Sequence, residues 1–390
     1  MLLGFKTELK LNNQQRALLA KHTGTARHAW NWGLALTKQI LDHNTANPND
    51  KIKFPSAIDL HKWLVALVKS KHEWYYQVSK CAPQWALRAL ANAWGRCFKK
   101  LAKPPRFKKK GKHDSFTLDG SIKCDHQKIK VPVIGWLKTY ERLPQGYQPK
   151  SVTISQKANR WFLSFKVEVE PVSTSKSVEI VGCDLGVKSL ATLSSGLVFE
   201  GAKSYRKYEK KLSRLQYLAR HKIKGSNNWK KAQKKIAKLH FKIANIRKDT
   251  LHKLTTYLAK NHSKIVIEDL NVSGMMANHK LAKAVQDMGF YEFRRQLDYK
   301  TIVYNSELII ADRWFPSSKK CSNCGHIKET LSLSERVFEC ELCSFKCGRD
   351  LNASFNLASL AVSSIVSACG LVSADTARMK QEVNIKPTNR

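Results

Sequence analysis

Acids are scarce in this chain. Across 390 residues, 30 Asp and Glu stand against 69 Lys and Arg, a formal charge of +39. That imbalance argues against an ordinary metabolic enzyme and points to a polyanionic partner, nucleic acid or an acidic membrane surface. Long hydrophobic runs are missing as well. The N-terminal MLLGFKTELK carries Lys6 and Glu8 and has no apolar run of signal-peptide length. The one long charge-free stretch, Leu351 to Ala374, is broken by Asn352, Asn356 and several serines, so it reads as a buried or half-buried helix and not a membrane span. No internal repeat is evident. The ten cysteines lack the spacing of a secreted disulfide framework: four are paired near the C-terminus, and most others are scattered in apolar surroundings. A soluble, intracellular protein with no membrane partner is expected.

Hydrophobic residues make up 43 % and aromatics 9 %, which excludes a disordered basic tail and supports two or three domains. Leu2–Leu9 reads as a strand. Residues 12–100 read as a helical region in which Trp30, Trp32, Trp63, Trp74, Trp85 and Trp94 are expected mainly as packing core, a few as platforms for unpaired bases. The segment KKLAKPPRFKKKGK, Lys99 to Lys112, sets eight basic residues beside Pro104-Pro105 with no acid, a pattern suited to phosphate contact. Ser151–Glu170 alternates around Lys157-Ala158-Asn159 and predicts a hairpin. PVSTSKS, Pro171 to Ser177, reads as a linker.

Val178–Asp184, Ser189–Leu193 and Leu197–Glu200 then predict an antiparallel meander. Lys203 to Lys248 holds seventeen Lys and Arg and one acid, Glu209. Its apolar residues recur at helical spacing with a break at Gly225–Asn228, so it predicts a basic helical hairpin facing nucleic acid. Lys264–Leu270 and Ser306–Ala311 are apolar runs of the kind found in a sheet covered on both faces.

Cys321, Cys324, Cys340 and Cys343 form C-x2-C-x15-C-x2-C. Each knuckle turns two thiolates to one point, and two knuckles complete a tetrahedral shell for a structural Zn²⁺. Cys347, four residues past Cys343, is read as a spare ligand ahead of a free thiol; Cys81, Cys97, Cys124, Cys183 and Cys369 are read as small buried hydrophobes. The acids are few enough for their placement to carry information. Asp184 and Glu268 end apolar strands, and Asp350 opens the next apolar helix. Singly they are turn acids or a helix cap. Together they can form a self-repelling cluster that needs divalent cations, and two Mg²⁺ about 3.5–4 Å apart would activate water against a phosphodiester. Asp269 points to the opposite strand face and is left out, while Asp312 is a possible accessory acid.

GCDLGVKSLATLSSG (182–196), IVIEDLNVSGM (265–275), ADRWFPSSKKCSNCG (311–325) and CELCSFKCGRDLNASFNL (340–357) resemble the OrfB/TnpB proteins of bacterial insertion sequences, RNA-guided DNA nucleases related to type V CRISPR effectors. The resemblance implies a multidomain α/β plus α+β chain. A wedge-type β domain at 1–177 would carry a helical recognition insert at about 12–100. An RNase H-like (RuvC) nuclease domain at 178–312 and 348–372 would be interrupted by a zinc ribbon at 313–347, leaving a flexible tail at 373–390. It places the Mg²⁺-binding catalytic triad on Asp184, Glu268 and Asp350, and zinc on Cys321, Cys324, Cys340 and Cys343. It implies a guide RNA from the transposon end, a double-stranded DNA target and a bacterial, nucleoid-associated location. Two departures stand out: Gly348, where family members often carry Asp, and Cys347. A nuclease-inactive RNA- or DNA-binding regulator of transposition and a guide-independent transposase stay open as alternatives.

Overall fold

The computed structural model describes residues 1–372 apart from Leu333, with side chains through Val362. The tail expected at 373–390 and the side chain of Cys369 lie outside the described residues. The chain divides into two compact units, Met1–Val169 and a second beginning at Glu170.

In the first unit, strand β1 (Leu2–Lys10) leads into helix α1 (Asn13–Ala46). Asn12 starts that helix by a reciprocal cap: its side chain accepts the Gln15 N–H at 2.8 Å, and the Gln15 side chain accepts the Asn12 N–H at 3.1 Å. Ser56 and Asp59 start α2 (Ala57–Leu67) in the same way, and two 3-10 turns lead to α3 (Cys81–Phe98). Helices α1 and α3 cross at Gly33, where a Cβ would meet Leu87 Cδ2 at 2.8 Å. Trp30 and Trp94 are buried, as helical core requires. Trp63 and Trp74 are exposed, outside the core expected of most of the tryptophans. Trp63 lies off the Leu60/Leu64 stripe that α2 buries, and Trp74 stacks on Tyr75 in a 3-10 turn with ring centres 4.3 Å apart. The basic run after α3 has no helix or strand through Lys110, yet it is tied down. Trp30 Nε1 donates to the Arg106 carbonyl at 3.0 Å, and the Asn31 side chain pairs with both backbone groups of Lys108 at 3.0 and 2.8 Å.

Six more strands follow: β2 (Ser115–Asp119), β3 (Lys123–Asp125), β4 (Lys128–Val131), β5 (Gly135–Thr139), β6 (Ser151–Lys157) and β7 (Arg160–Glu168). With β1 they form an antiparallel sheet of order β2-β6-β7-β1-β5-β4-β3. Strand β1 joins its two halves, pairing with β7 along Leu2–Glu8 and with β5 at Leu9 and Lys10. The β6–β7 hairpin turns on Ala158 (φ +51°) and Asn159 (φ +66°), the two positive φ values that match the twist of its strands.

The second unit is built on a five-stranded sheet of order β10-β9-β8-β11-β12. Its strands are β8 (Val178–Asp184), β9 (Ala191–Leu193), β10 (Val198–Phe199), β11 (His262–Glu268) and β12 (Glu307–Ala311). The first three form the antiparallel meander, and β8, β11 and β12 run parallel. Between β10 and β11 lie helices α4 (Ser204–Arg220) and α5 (Asn227–Asn261), the basic hairpin, zipped by Leu212, Leu239 and Ile243. Helices α6 (Val272–Ala277), α7 (Ala282–Met288) and α8 (Phe290–Val303) precede β12. A short hairpin, β13 (Val337–Glu339) and β14 (Lys346–Gly348), precedes helix α9 (Arg349–Val372). One sheet face packs against α5, α7 and α8 through Leu254, Leu258, Val285, Phe293 and Leu297; the other packs against α9 through Leu357 and Ala361. Both faces are covered, as the apolar runs of β11 and β12 require.

Helix α4 starts without a cap of its own, because Lys203 is left-handed (φ +43°) and its side chain caps nothing. The buried carboxylate of Asp287 on α7 does the work, accepting the Ser204 hydroxyl at 3.0 Å and the Tyr205 and Arg206 N–H groups at 2.9 and 3.2 Å. Asp287→Ala leaves the Tyr205 and Arg206 N–H groups without their acceptor, while the Ser204 hydroxyl keeps the Ile243 carbonyl at 3.0 Å. It is expected to lower unfolding stability by about 2 kcal/mol, measured by urea denaturation.

Candidate active site and metal centre

Alternation along β8 and β11 decides where the acids point. Val181 and Cys183 belong to the core under α5, α7 and α8, whereas Ile180 packs under α9. Gly182 and Asp184 therefore face α9. Ile265 and Ile267 likewise face the first layer and Val266 the second, so Glu268 also turns to α9. The parallel register pairs Ile267 with Cys183, which brings Glu268 beside Asp184 at the strand ends. Asp350, Ser354 and Ala358 recur every four residues along one face of α9. That face seats on β8 at Gly182, where a Cβ would fall on the Ser354 carbonyl oxygen and 2.6 Å from the Ala358 nitrogen. Asp350 sits one turn before this contact and meets the strand ends.

Electrostatics register the convergence. Burial, then the charges of Glu268 and Asp350, push the Asp184 carboxyl up to about 8, against the opposing pull of Arg349 and the Leu185 N–H. Burial also raises Glu268, opposed by the hydroxyl of Ser317, which donates to its Oε1. Arg349 Nε lies 3.5 Å from Asp350 Oδ1. The three acids come from three separate elements, and a divalent cation between them would offset the repulsion felt at Asp184. The trio is looser than the cysteine shell: among the described residues the four thiols are the group whose donor atoms all lie within 4.8 Å.

The neighbouring acids do other work. Asp269 is gripped by Arg294 Nη1 and Arg313 Nη2, each at 2.6 Å, and the two guanidiniums, Arg313 first, hold its pKa below the usual carboxylate range. Asp312 is exposed and accepts the Trp314 N–H at 2.8 Å, stabilising a turn.

Cys321, Cys324, Cys340 and Cys343 come together from two matching knuckles. Gly325 (φ +80°) and Ser344 (φ +56°) turn the chain after each, with N–H bonds back to the Cys321 and Cys340 carbonyls at 3.0 and 3.1 Å. The Cys321–Cys343 and Cys324–Cys340 sulfurs are 3.7 and 3.5 Å apart, close to the roughly 3.8 Å edge of a tetrahedral zinc–thiolate shell. The Asn323 amide, donating to the Cys343 sulfur at 3.6 Å, and the Phe345 N–H pull that thiol down to about 6. Cys347 lies opposite Phe338 on β14, outside the group. The lone cysteines divide: Cys81 and Cys183 are buried as expected, while Cys97 and Cys124 are half-buried.

Asn352 and Asn356, one turn apart on α9 and almost fully buried, tie the first knuckle to the helix. Asn352 Oδ1 accepts the Ser322 N–H at 3.0 Å, and both side-chain amides donate to the Lys320 carbonyl at 2.7 and 2.6 Å. Their i, i+4 spacing in an apolar helix was the available signal; nothing local marked Ser317. Elemental analysis is expected to find one zinc per chain. Chelation should then sharply raise amide exchange across residues 321–347, because a shell of four thiols without metal has little apolar core beyond Phe338 to hold it.

Residues 164–279 match the family OrfB_IS605, described as a probable transposase; residues 290–357 match the Cas12f1-like TNB domain, and residues 1–45 a helix-turn-helix domain of the OrfB_IS605 type. In this chain the last of these is a strand followed by one long helix. "Putative RNA-guided DNA endonuclease InsQ" of Escherichia coli (strain K12) is 36 % identical over 398 residues, covering 97 % of this chain and 96 % of that protein. A "Putative RNA-guided DNA endonuclease" of Streptomyces pristinaespiralis is 38 % identical over 305 residues, 75 % of this chain and 74 % of its own. A solved structure of the mini-RNA-guided endonuclease CRISPR-Cas_phi3 shares the fold with a TM-score of 0.50 at 10 % identity, covering 93 % of this chain and 92 % of that one. No helix among the described residues is long and apolar enough to cross a membrane. With a relative 36 % identical over 97 % of its length, the chain belongs to the OrfB/TnpB family of insertion-sequence proteins.

Proposed function

We propose that this chain is a transposon-encoded, RNA-guided DNA endonuclease whose phosphodiester hydrolysis takes place at Asp184, Glu268 and Asp350. The observation that carries the reading is the convergence of three acids at one end of a covered sheet: Asp184 buried at the end of β8, Glu268 beside it by register, and Asp350 at the start of the helix seated on Gly182. Asp184, Glu268 and Asp350 would hold Mg²⁺, which when bound lowers the pKa of water and neutralises charge on the phosphoryl group. Placement is the chain's own part. Register sets Glu268 beside Asp184, Ser317 holds the Glu268 carboxylate, and α9 delivers Asp350 against β8. Water attacks phosphorus in line and the 3′ oxygen leaves.

The order of elements supports the finer division: a wedge-type β domain at 1–177 with its helical insert at about 12–100, and an RNase H-like nuclease domain at 178–312 and 348–372 split by the ribbon at 313–347. Base pairing with a guide RNA from the transposon end would select a double-stranded DNA target, while a chain of +39 reads backbone and shape. A location at the bacterial nucleoid follows from that partner. Gly348 ends β14, and a Cβ there would meet only Leu351 Cβ at 4.0 Å, so a side chain at this position fits without displacing α9.

Sequencing the RNA that purifies with the protein, then assaying its complementary DNA with Mg²⁺ or with chelator, tests the proposal. Cutting that needs both RNA and Mg²⁺ is expected. Binding without cutting would leave a regulator, and cutting without RNA a guide-independent transposase.

A further inference from the structure

We propose that Arg294, Arg313 and Trp314 form a binding site for one unpaired nucleotide of the DNA strand being cut, the guanidiniums taking a phosphate and the indole a base. The proposal rests on the endonuclease reading and adds residues to it.

Asp269 follows Glu268 directly and brings both guanidiniums into a cleft that Glu268 also lines. One carboxylate faces two cations, so positive charge is left over. Arg294 meets it through Nη1, and Arg313 through Nη2 with Nε toward the Asp269 carbonyl at 3.4 Å. A guanidinium carries five N–H donors in a rigid fork, so each has capacity for phosphate oxygens. The two side chains are 42 % and 47 % exposed. Both line a cleft of about 280 Å³ that also contains Glu268, and both line a second, more open cleft of about 540 Å³ that contains Trp314. A phosphate held by this pair therefore sits between Glu268 and the indole.

Trp314 is 85 % exposed, an unfavourable position for the largest apolar ring unless something covers it. Its backbone is fixed on both sides. Arg313 is tied to Asp269, Phe315 packs into the core under α9, and Asp312 accepts the Trp314 and Phe315 N–H groups at 2.8 and 3.1 Å. The indole is thus held outward by structure. A flat ring beside cations is the combination that holds single strands, phosphates on the charges and a base on the face. Bases inside a duplex are already stacked on one another, so the ring serves an unpaired strand.

The test uses guide-loaded full-length protein and target DNA carrying a single abasic site, moved through the nucleotides that flank the cut. Trp314→Ala is expected to slow cutting about 10-fold, and Trp314→Phe to restore most of the rate. At one position the abasic site should slow wild type by a similar factor and leave Trp314→Ala no slower than before. Wild-type cutting by Trp314→Ala, or independent losses at every position, overturns the site. If wild-type protein cuts no DNA, the endonuclease reading falls by itself, and binding of an oligodeoxythymidylate decides the site. A weakening of about 10-fold in Trp314→Ala keeps it; unchanged affinity removes it.

Discussion

Asp184→Asn is expected to abolish DNA cutting, by on the order of 10³-fold or more, while RNA and DNA binding stay near wild type. Asn keeps the shape of Asp and removes the charge. The site loses the one acid that both others face, and with it the deepest anchor for a cation. Binding of long polyanions draws instead on the distributed excess of Lys and Arg, and one charge in +39 changes that little. Folding should not suffer either. In the presence of chelator the variant should melt no lower than wild type, because one of three mutually repelling groups is gone and Asp184 is the most buried of them. Filter binding with guide RNA, cleavage kinetics with Mg²⁺ and a melting curve in chelator make the comparison. A variant that cuts at the wild-type rate removes Asp184 from the site. One that loses RNA binding together with cutting shifts its role to structure.

The parts of this chain legible in sequence are those where a local pattern has a single physical solution. The basic hairpin of α4 and α5 could be read because its apolar residues recur at helical spacing around a break at Gly225. Strands β11 and β12 could be read because short apolar runs suit a sheet covered on both faces. The acid trio stood out because carboxylates are rare here and three of them end or begin apolar elements. Strands β2 to β5 were not legible: each spans three to five residues, too few for alternation to rise above the lysines between them. The surface positions of Trp63 and Trp74 were hidden for a related reason, since a tryptophan at helical spacing gives no sign of which face its neighbours bury. Ser317, Asn352 and Asn356 act across the gap between ribbon and helix, and Arg294 and Arg313 meet only because Asp269 lies between their elements. Such contacts depend on tertiary approach, which no window along the chain contains.

Gly182→Ala tests that tertiary approach directly and is expected to cripple the second unit. The new methyl would fall on the Ser354 carbonyl oxygen and stand 2.6 Å from the Ala358 nitrogen. Both atoms are backbone of α9, so no side chain can swing aside, and the helix itself has to lift from β8. Lifting it costs about 3 kcal/mol or more, at the upper end for overpacking. Chemistry suffers with stability, because Asp350 leads the same helix face and moves away from Asp184. A shift of about 1 Å in a reacting group commonly costs on the order of 100-fold in rate. Asn352 and Asn356 travel with α9, so the first cysteine knuckle loses its attachment to the Lys320 carbonyl at the same time. Gly4→Ala is the matched control: its Cβ would meet nothing within 4 Å, and it should leave both melting and cutting unchanged. If Gly182→Ala melts and cuts like wild type, α9 does not seat on β8 at this point, and the route by which Asp350 reaches the strand ends has to be redrawn.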